Sequence, residues 1–199
     1  LDSLESSVLS DSDFIFVYDK NNGYKMTNKS SDDSSYTDDK TSHAEGSYTS
    51  AENTSHAEGY NTYAFGNYSH SEGASTTSAN FGAHAEGSET VASGDTSHAE
   101  GYKTSAYGNY SHSEGLNTCA SGSNSHAEGE ATMAIGVGSH ASGYQTSAYG
   151  ANSHSGGFGT YASGDNSYAG GYKTITYGNN AFSIGSNTSA YADNSHAEG

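Results

Sequence analysis

The chain has 199 residues, 26 of them glycine, no proline, tryptophan or arginine, and a formal charge of −17. Large aliphatic side chains are too scarce for an ordinary core of Leu, Ile, Val and Phe. Six lysines against 23 acidic groups argue against nucleic acid, whose phosphates demand basic side chains, and against an anionic membrane surface.

Taken in order, residues 1–29 differ in kind from the rest. Leu1, Leu4, Val8 and Leu9 mark one or two short amphipathic turns. The run Asp13-Phe14-Ile15-Phe16-Val17-Tyr18-Asp19 is β-prone. Asn22-Gly23 after it is a strong hairpin signal, and Tyr24-Lys25-Met26-Thr27 is the expected returning strand. Leu1 is not an initiator residue and Gly199 falls in mid-repeat, so the sequence reads as a fragment or processed product with more protein expected beyond it. Residues 30–41 are polar and acidic without periodicity, which is linker composition. No apolar run approaches a membrane span, and no signal peptide opens the chain.

From Ser42 onward a period governs everything. Glycine fills 19 of the 21 slots reached in steps of seven from Gly59 to Gly199, with Asn80 and Ala192 the exceptions. In steps of fourteen, threonine fills all ten slots from Thr62 to Thr188. Histidine fills nine of eleven from His56 to His196, with Tyr168 and Phe182 in its place. The second unit is one residue short, because Asn53 takes a glycine slot and only Thr54 separates it from Ser55. A fixed period of this kind marks a solenoid.

Each unit divides into Ser-His-Ala-Glu-Gly-x-x and Thr-x-Ala-x-Gly-x-x. Strand alternation puts the first and third positions of each half on one face. Those positions are almost always Ser, Thr or Ala, so they are assigned inward, where two strands lie too close for larger groups. Two five-residue strands and two short turns then close one coil, with the glycines at the turns: Gly59, Gly66, Gly73, Gly87, Gly94, Gly101, Gly108 and Gly115. Glycine serves there through positive φ or by letting another backbone pass closely. Coils stacked about 4.8 Å apart make a rod roughly 50 Å long. Its thin interior buries little apolar surface, which predicts that the outward faces pack against other copies.

The units resemble the head repeat of YadA-like trimeric adhesins, whose pattern is Ser-Val-Ala-Ile-Gly alternating with x-x-Ala-x-Gly. Ala181-Phe182-Ser183-Ile184-Gly185 and Thr132-Met133-Ala134-Ile135-Gly136 come nearest. The Ser-His-Ala-Glu-Gly variant is similar to versions in phage tail proteins and other surface fibres. The resemblance implies an all-β, left-handed parallel β-roll (β-solenoid), three of which associate side by side into a homotrimer. It departs where the family's Val and Ile positions are mostly His and Glu here, which suggests a polar interface. The segment after Asp13 resembles a small module found between parts of phage tail fibres and baseplate-attached proteins. A generic β-hairpin cap is the other reading. The division expected is an attachment module over 1–29, a linker over 30–41 and the β-roll over 42–199.

His98 and Glu100 stand two apart on one strand and therefore share the outward face. A ladder at a trimer interface is the preferred reading of these columns: His56, Glu58, His70, Glu72, His84, Glu86, His98, Glu100, His112, Glu114, His126 and Glu128, turning apolar at Phe182 and Ile184. A merely solvated face explains poorly why His recurs. Three symmetry-related imidazoles could hold a transition ion, but a long row of identical sites is unpromising, so no metal or cofactor is assigned. Ser, His and an acid recur together as in a hydrolytic triad, yet Ser points away from His, so no enzyme is expected. Outward tyrosines, among them Tyr102, Tyr144 and Tyr172, suit either a platform for glycans or packing along the rod. Cys119, the lone cysteine, lies in a variable slot and excludes an internal disulfide.

The function expected is a structural and adhesive fibre segment of a phage tail fibre or tail spike, on the virion tail or another extracellular surface. Its partners would be its own copies and a host glycan or protein receptor. The alternative is the head of a bacterial trimeric autotransporter adhesin. An ice-binding solenoid is a remote one, because the threonine column shares its face with inward alanine.

Overall fold

A computed structural model describes Phe14–Asp19, Gly23–Asn28, residues 35–37 and residues 41–199. The turns expected around Leu1, Leu4, Val8 and Leu9, the Asn22 corner and most of the stretch read as a linker lie outside the described residues. Among the described residues the chain is entirely β, with no helix, and so none long and apolar enough to cross a membrane.

Strands β1 (Phe14–Asp19) and β2 (Gly23–Asn28) pair antiparallel, with Phe14 opposite Asn28 and Asp19 opposite Gly23. The expected hairpin is present, but Gly23 is already paired rather than at the corner. The remainder winds into a parallel solenoid with two twelve-stranded sheets. One is built of long strands from His43–Ser47 to His196–Glu198. The other is built of two-residue strands from β3 (Tyr36–Thr37) to Ser189–Ala190. Like residues stack on like: His84 on His98, Glu86 on Glu100, Ala92 on Ala106. Tyr36–Thr37 pairs with Ser50–Ala51, so the short sheet begins within the stretch read as linker. The missing residue of the second unit is absorbed in a turn where Asn53 and Thr54 both take positive φ, 52° and 64°. Register then resumes with His43 beside His56.

The expectation of two equal five-residue strands needs correction. The long strand runs from His98 to Tyr102, past its glycine. Ser97 is excluded because its N–H closes the preceding turn onto the Gly94 carbonyl at 3.2 Å. The other strand holds only Ser105–Ala106. Its chain is already bending at Tyr107–Gly108, where both N–H groups donate to the Ala120 carbonyl (2.8 and 3.3 Å), and the Gly108 carbonyl accepts from Ser111 N–H at 3.2 Å. That closes a four-residue turn with positive φ at its third residue, Tyr110 (59°), as a type II turn requires.

The glycine roles separate in the same way. Gly59, Gly73, Gly87, Gly101 and Gly115 are strand residues with φ between 109° and 123°, not turn residues. A Cβ at Gly101 would also sit 2.2 Å from the Gly115 carbonyl oxygen. Gly66, Gly94 and Gly108 open the tight turn without positive φ. They are required by proximity alone, since a Cβ would lie 1.9–2.0 Å from the carbonyl of the next coil. The left-handed turn positions fall on seventh residues instead, such as Lys103 (57°) and Asn117 (57°). Among the described residues, nine of the twenty non-glycine residues with positive φ are Asn, the side chain that best tolerates that region.

The interior is built as the pattern predicts. Ser97, Ala99, Thr104 and Ala106 are all buried, as are their equivalents along the rod except in the end coils, where Ser42, Ala44, Thr188, Ser195 and Ala197 are half-buried. Where the third position is Ser, its hydroxyl meets the threonine five residues on: Ser71–Thr76 at 2.7 Å, Ser113–Thr118 at 2.8 Å, Ser155–Thr160 at 2.7 Å and Ser183–Thr188 at 2.9 Å. Where it is Ala, as at Ala99 or Ala127, the facing hydroxyls of Thr104 and Thr132 have no partner. Along the tight-turn corner, Asx side chains form their own ladder. Asn109 Oδ1 accepts from Asp95 N–H at 3.0 Å, and Asp165 Oδ1 from Ala151 N–H at 2.8 Å.

Candidate interface: the histidine–glutamate face

The long strands present one ordered outward face. Parallel register places each imidazole directly over the next, and nine rings from His43 to His154 follow one another at 4.7–5.0 Å between centroids. In the middle of the rod the planes become parallel: His98–His112 at 2°, His112–His126 at 1°, His126–His140 at 3°. The column does not stop where histidine does. Tyr168 stacks on His154 (5.0 Å, 7°), Phe182 on Tyr168 (4.8 Å, 11°), and His196 follows at 5.1 Å. Tyr168 and Phe182 therefore replace histidine by continuing a ladder of flat rings. His140, His154 and Tyr168 stand in the fourteen-residue column read from the sequence but outside the ladder assigned from it, which ends at Glu128 and resumes at Phe182; the stack makes them rungs as well.

Histidine and glutamate meet within one chain. Nε2 of His56, His70, His84, His98 and His112 faces the glutamate of its own strand at 3.4–4.0 Å. At His126 and His140 the partner is instead the glutamate of the coil before: His126–Glu114 at 3.8 Å and His140–Glu128 at 3.5 Å. These groups are between one-third and one-half exposed, so as ion pairs they contribute little. The rings matter more as a stack. Burial holds the pKa values of His56, His84, His98, His126 and His154 below 6.5, and neighbouring histidines add to the effect at each. At these five positions folding favours the neutral ring. Beside it runs a groove of about 510 Å³ lined by Glu100, Glu114 and Glu128 with Gly101, Gly115, Gly129 and Gly143.

Toward the last coils the face loses its carboxylates. Ser142, Gly156 and Gly170 follow Glu128 in the same column before Ile184, which is half-buried beside the 37% exposed Phe182. Serine and histidine do not converge, because Ser97 is buried inside the tube while His98 faces out. Some of the exposed aromatics elsewhere also stack along the rod. Tyr144, Phe158 and Tyr172 lie at 5.0 and 5.2 Å with planes within 20°, and Tyr177 lies on Tyr191 at 5.4 Å. Their faces are turned to one another, which leaves edges and hydroxyls for any partner. Cys119 is half-buried, with Sγ 3.2 Å from Ser121 Oγ.

Fold and face together define a parallel β-solenoid of fourteen-residue coils whose chemistry is a repeating surface. The family model for the YadA head domain repeat matches residues 85–111, 127–153 and 162–188. Residues 85–188 therefore carry YadA head domain repeats. No curated protein matches the chain.

Proposed function

We propose that this chain is a segment of an extracellular adhesive fibre in which three copies lie side by side, with their histidine–glutamate faces turned to one another. The observation that carries the reading is the contrast between a roll whose buried side chains, among the described residues, are only Ala, Ser and Thr, and an ordered outward face left half-exposed. Small side chains return little burial free energy against the cost of ordering backbone, so lateral association supplies what a single roll lacks. Family membership supports the same arrangement, YadA head domains being homotrimers in general. In this reading His56 to Glu128 form a polar stretch of the interface, and Phe182 with Ile184 an apolar one. Residues 1–29 serve as an attachment module, 30–41 as a connector whose Tyr36–Thr37 already forms the first rung of the short sheet, and 42–199 as the shaft.

The fibre belongs to a phage tail fibre or tail spike, a reading supported by the resemblance of the β1–β2 segment to modules of such proteins. It binds a host glycan or protein receptor. The second reading, the head of a bacterial trimeric autotransporter adhesin, is favoured by the family match itself. Sedimentation velocity of the chain at neutral pH tests the association. A mass three times 20.5 kDa is expected, and a folded species of 20.5 kDa at all concentrations would overturn it.

A further inference from the structure

The middle coils hold an arrangement that association does not require. Glu100, His112 and Glu114 each bring one ligand atom to within 4.8 Å of the others, and Glu114, His126 and Glu128 do the same. Glu114 belongs to both groups. Its Oε2 faces His112 Nε2 at 4.0 Å, and its Oε1 faces His126 Nε2 at 3.8 Å. Those gaps are too long for hydrogen bonds, and both imidazole nitrogens are closed off from solvent without a hydrogen-bond partner. They suit a shared ion better: bonds of about 2.0–2.2 Å to nitrogen and oxygen separate two tetrahedral ligands by about 3.4 Å, and by more at wider angles.

We propose that these five residues form a paired site for divalent transition ions, one held by Glu100, His112 and Glu114 and the other by Glu114, His126 and Glu128, with Glu114 bridging. One imidazole and two carboxylates per ion match zinc, with a fourth position left for water. Calcium and magnesium favour all-oxygen sets. Electrostatics act in the same direction. Glu100, Glu114 and Glu128 are successive rungs of one ladder on a chain of charge −17, and a cation between them removes their mutual repulsion.

The rest of the column supplies internal controls. Past Glu128 the carboxylate position becomes Ser142 and then Gly156, which ends the ligand set. Before Glu100, His84 and His98 also stand 3.8 and 4.0 Å from their own glutamates, but among the described residues no coil there brings one imidazole and two carboxylates within reach of a single ion. Each site lies within one chain and does not depend on the number of copies.

The test is calorimetric titration of the chelator-stripped chain with ZnCl₂ at neutral pH, alongside thermal midpoints. The result expected is saturable binding of two ions per chain and a raised midpoint, with CaCl₂ giving neither. Glu114→Gln should weaken binding at least tenfold and His112→Asn should remove one of the two ions. Glu58→Gln, in the same column four coils before Glu114, should bind as the unaltered chain does. Far-UV circular dichroism establishes that each variant is folded. Absence of zinc binding by the unaltered chain, equal binding of calcium, or an equal loss in Glu58→Gln and Glu114→Gln would each overturn the proposal.

Discussion

The two halves of each coil read almost alike and fold differently. Both are heptads with small residues at positions one and three and glycine at five. Yet His98–Tyr102 is a five-residue strand with Gly101 paired inside it, while its counterpart is Ser105–Ala106 followed by a tight turn opened by Gly108. In the long half glycine answers two demands, a φ of 116° and a carbonyl 2.2 Å from where Cβ would be. In the short half it answers one, a carbonyl at 2.0 Å. Equal spacing in sequence thus reports equal rise along the rod, not equal conformation.

Substitutions at glycine should separate the halves most sharply. Gly101→Ala adds backbone strain to a steric block by neighbouring backbone, neither of which a rotamer change relieves, and is expected to cost more than about 4 kcal/mol in denaturant unfolding. Gly108→Ala meets the block without the strain and should cost less, though still several-fold more than Gly82→Ala. Gly82, at a seventh position with φ 60°, meets only Thr96 Oγ1 at 3.6 Å, and Ala131 already occupies the matching turn position of the other half with φ 55°. A loss of about 1 kcal/mol is expected there. Equal losses at all three would dissolve the distinction between the halves.

Acid should act on the long half next. The folded pKa values of His56, His84 and His154 lie below the 6.5 of the open chain. On acidification the unfolded state therefore takes up protons first, and stability, full above pH 6.5, falls as the pH drops below it. His84→Phe keeps a stacking ring, as Phe182 does in the same column, and removes one titrating group. Unfolding midpoints at pH 7 and pH 5 in metal-free buffer should differ less for that variant than for the unaltered chain.

Smaller effects join the two halves across the tube. Ser113→Ala leaves the Thr118 hydroxyl buried and unpaired and should cost about 1 kcal/mol. Ala99→Ser should supply Thr104 with the partner it lacks and give a comparable gain, since Ser71, Ser113, Ser155 and Ser183 fit the same position. At the low end, Glu89→Gln breaks the exposed pair with Lys103 at 3.7 Å and should leave the unfolding midpoint unchanged within error.

The period, the inward columns and the sharing of one face by His98 and Glu100 were legible because burial in so thin a tube admits only Ala, Ser and Thr. The short unit at Asn53-Thr54 was legible too, since the register restarts after it. What was not legible lies in backbone geometry. Nothing in Gly101 and Gly108 as letters distinguishes an in-strand glycine from one that opens a turn, and the left-handed positions are held by residues as different as Lys103, Tyr110 and Asn117. Tyr36–Thr37 was unreadable as a rung because its place is fixed by backbone bonds, among them Tyr36 N–H to the Thr49 carbonyl at 2.8 Å, with no glycine frame around it. The ring ladder was half-legible: replacement of His by Tyr168 and Phe182 speaks for flatness rather than charge, which becomes plain once the rings are seen to stack.

The claim that the long-strand face joins the copies is tested most directly by dipolar distance measurements between spin labels, in a Cys119→Ser background. One set carries Glu100→Cys on that face and the other Ser105→Cys on the opposite sheet. The account predicts a short, narrow distance distribution between copies for the first label and a longer one for the second. The reverse order, or no dipolar coupling from either position, would contradict it.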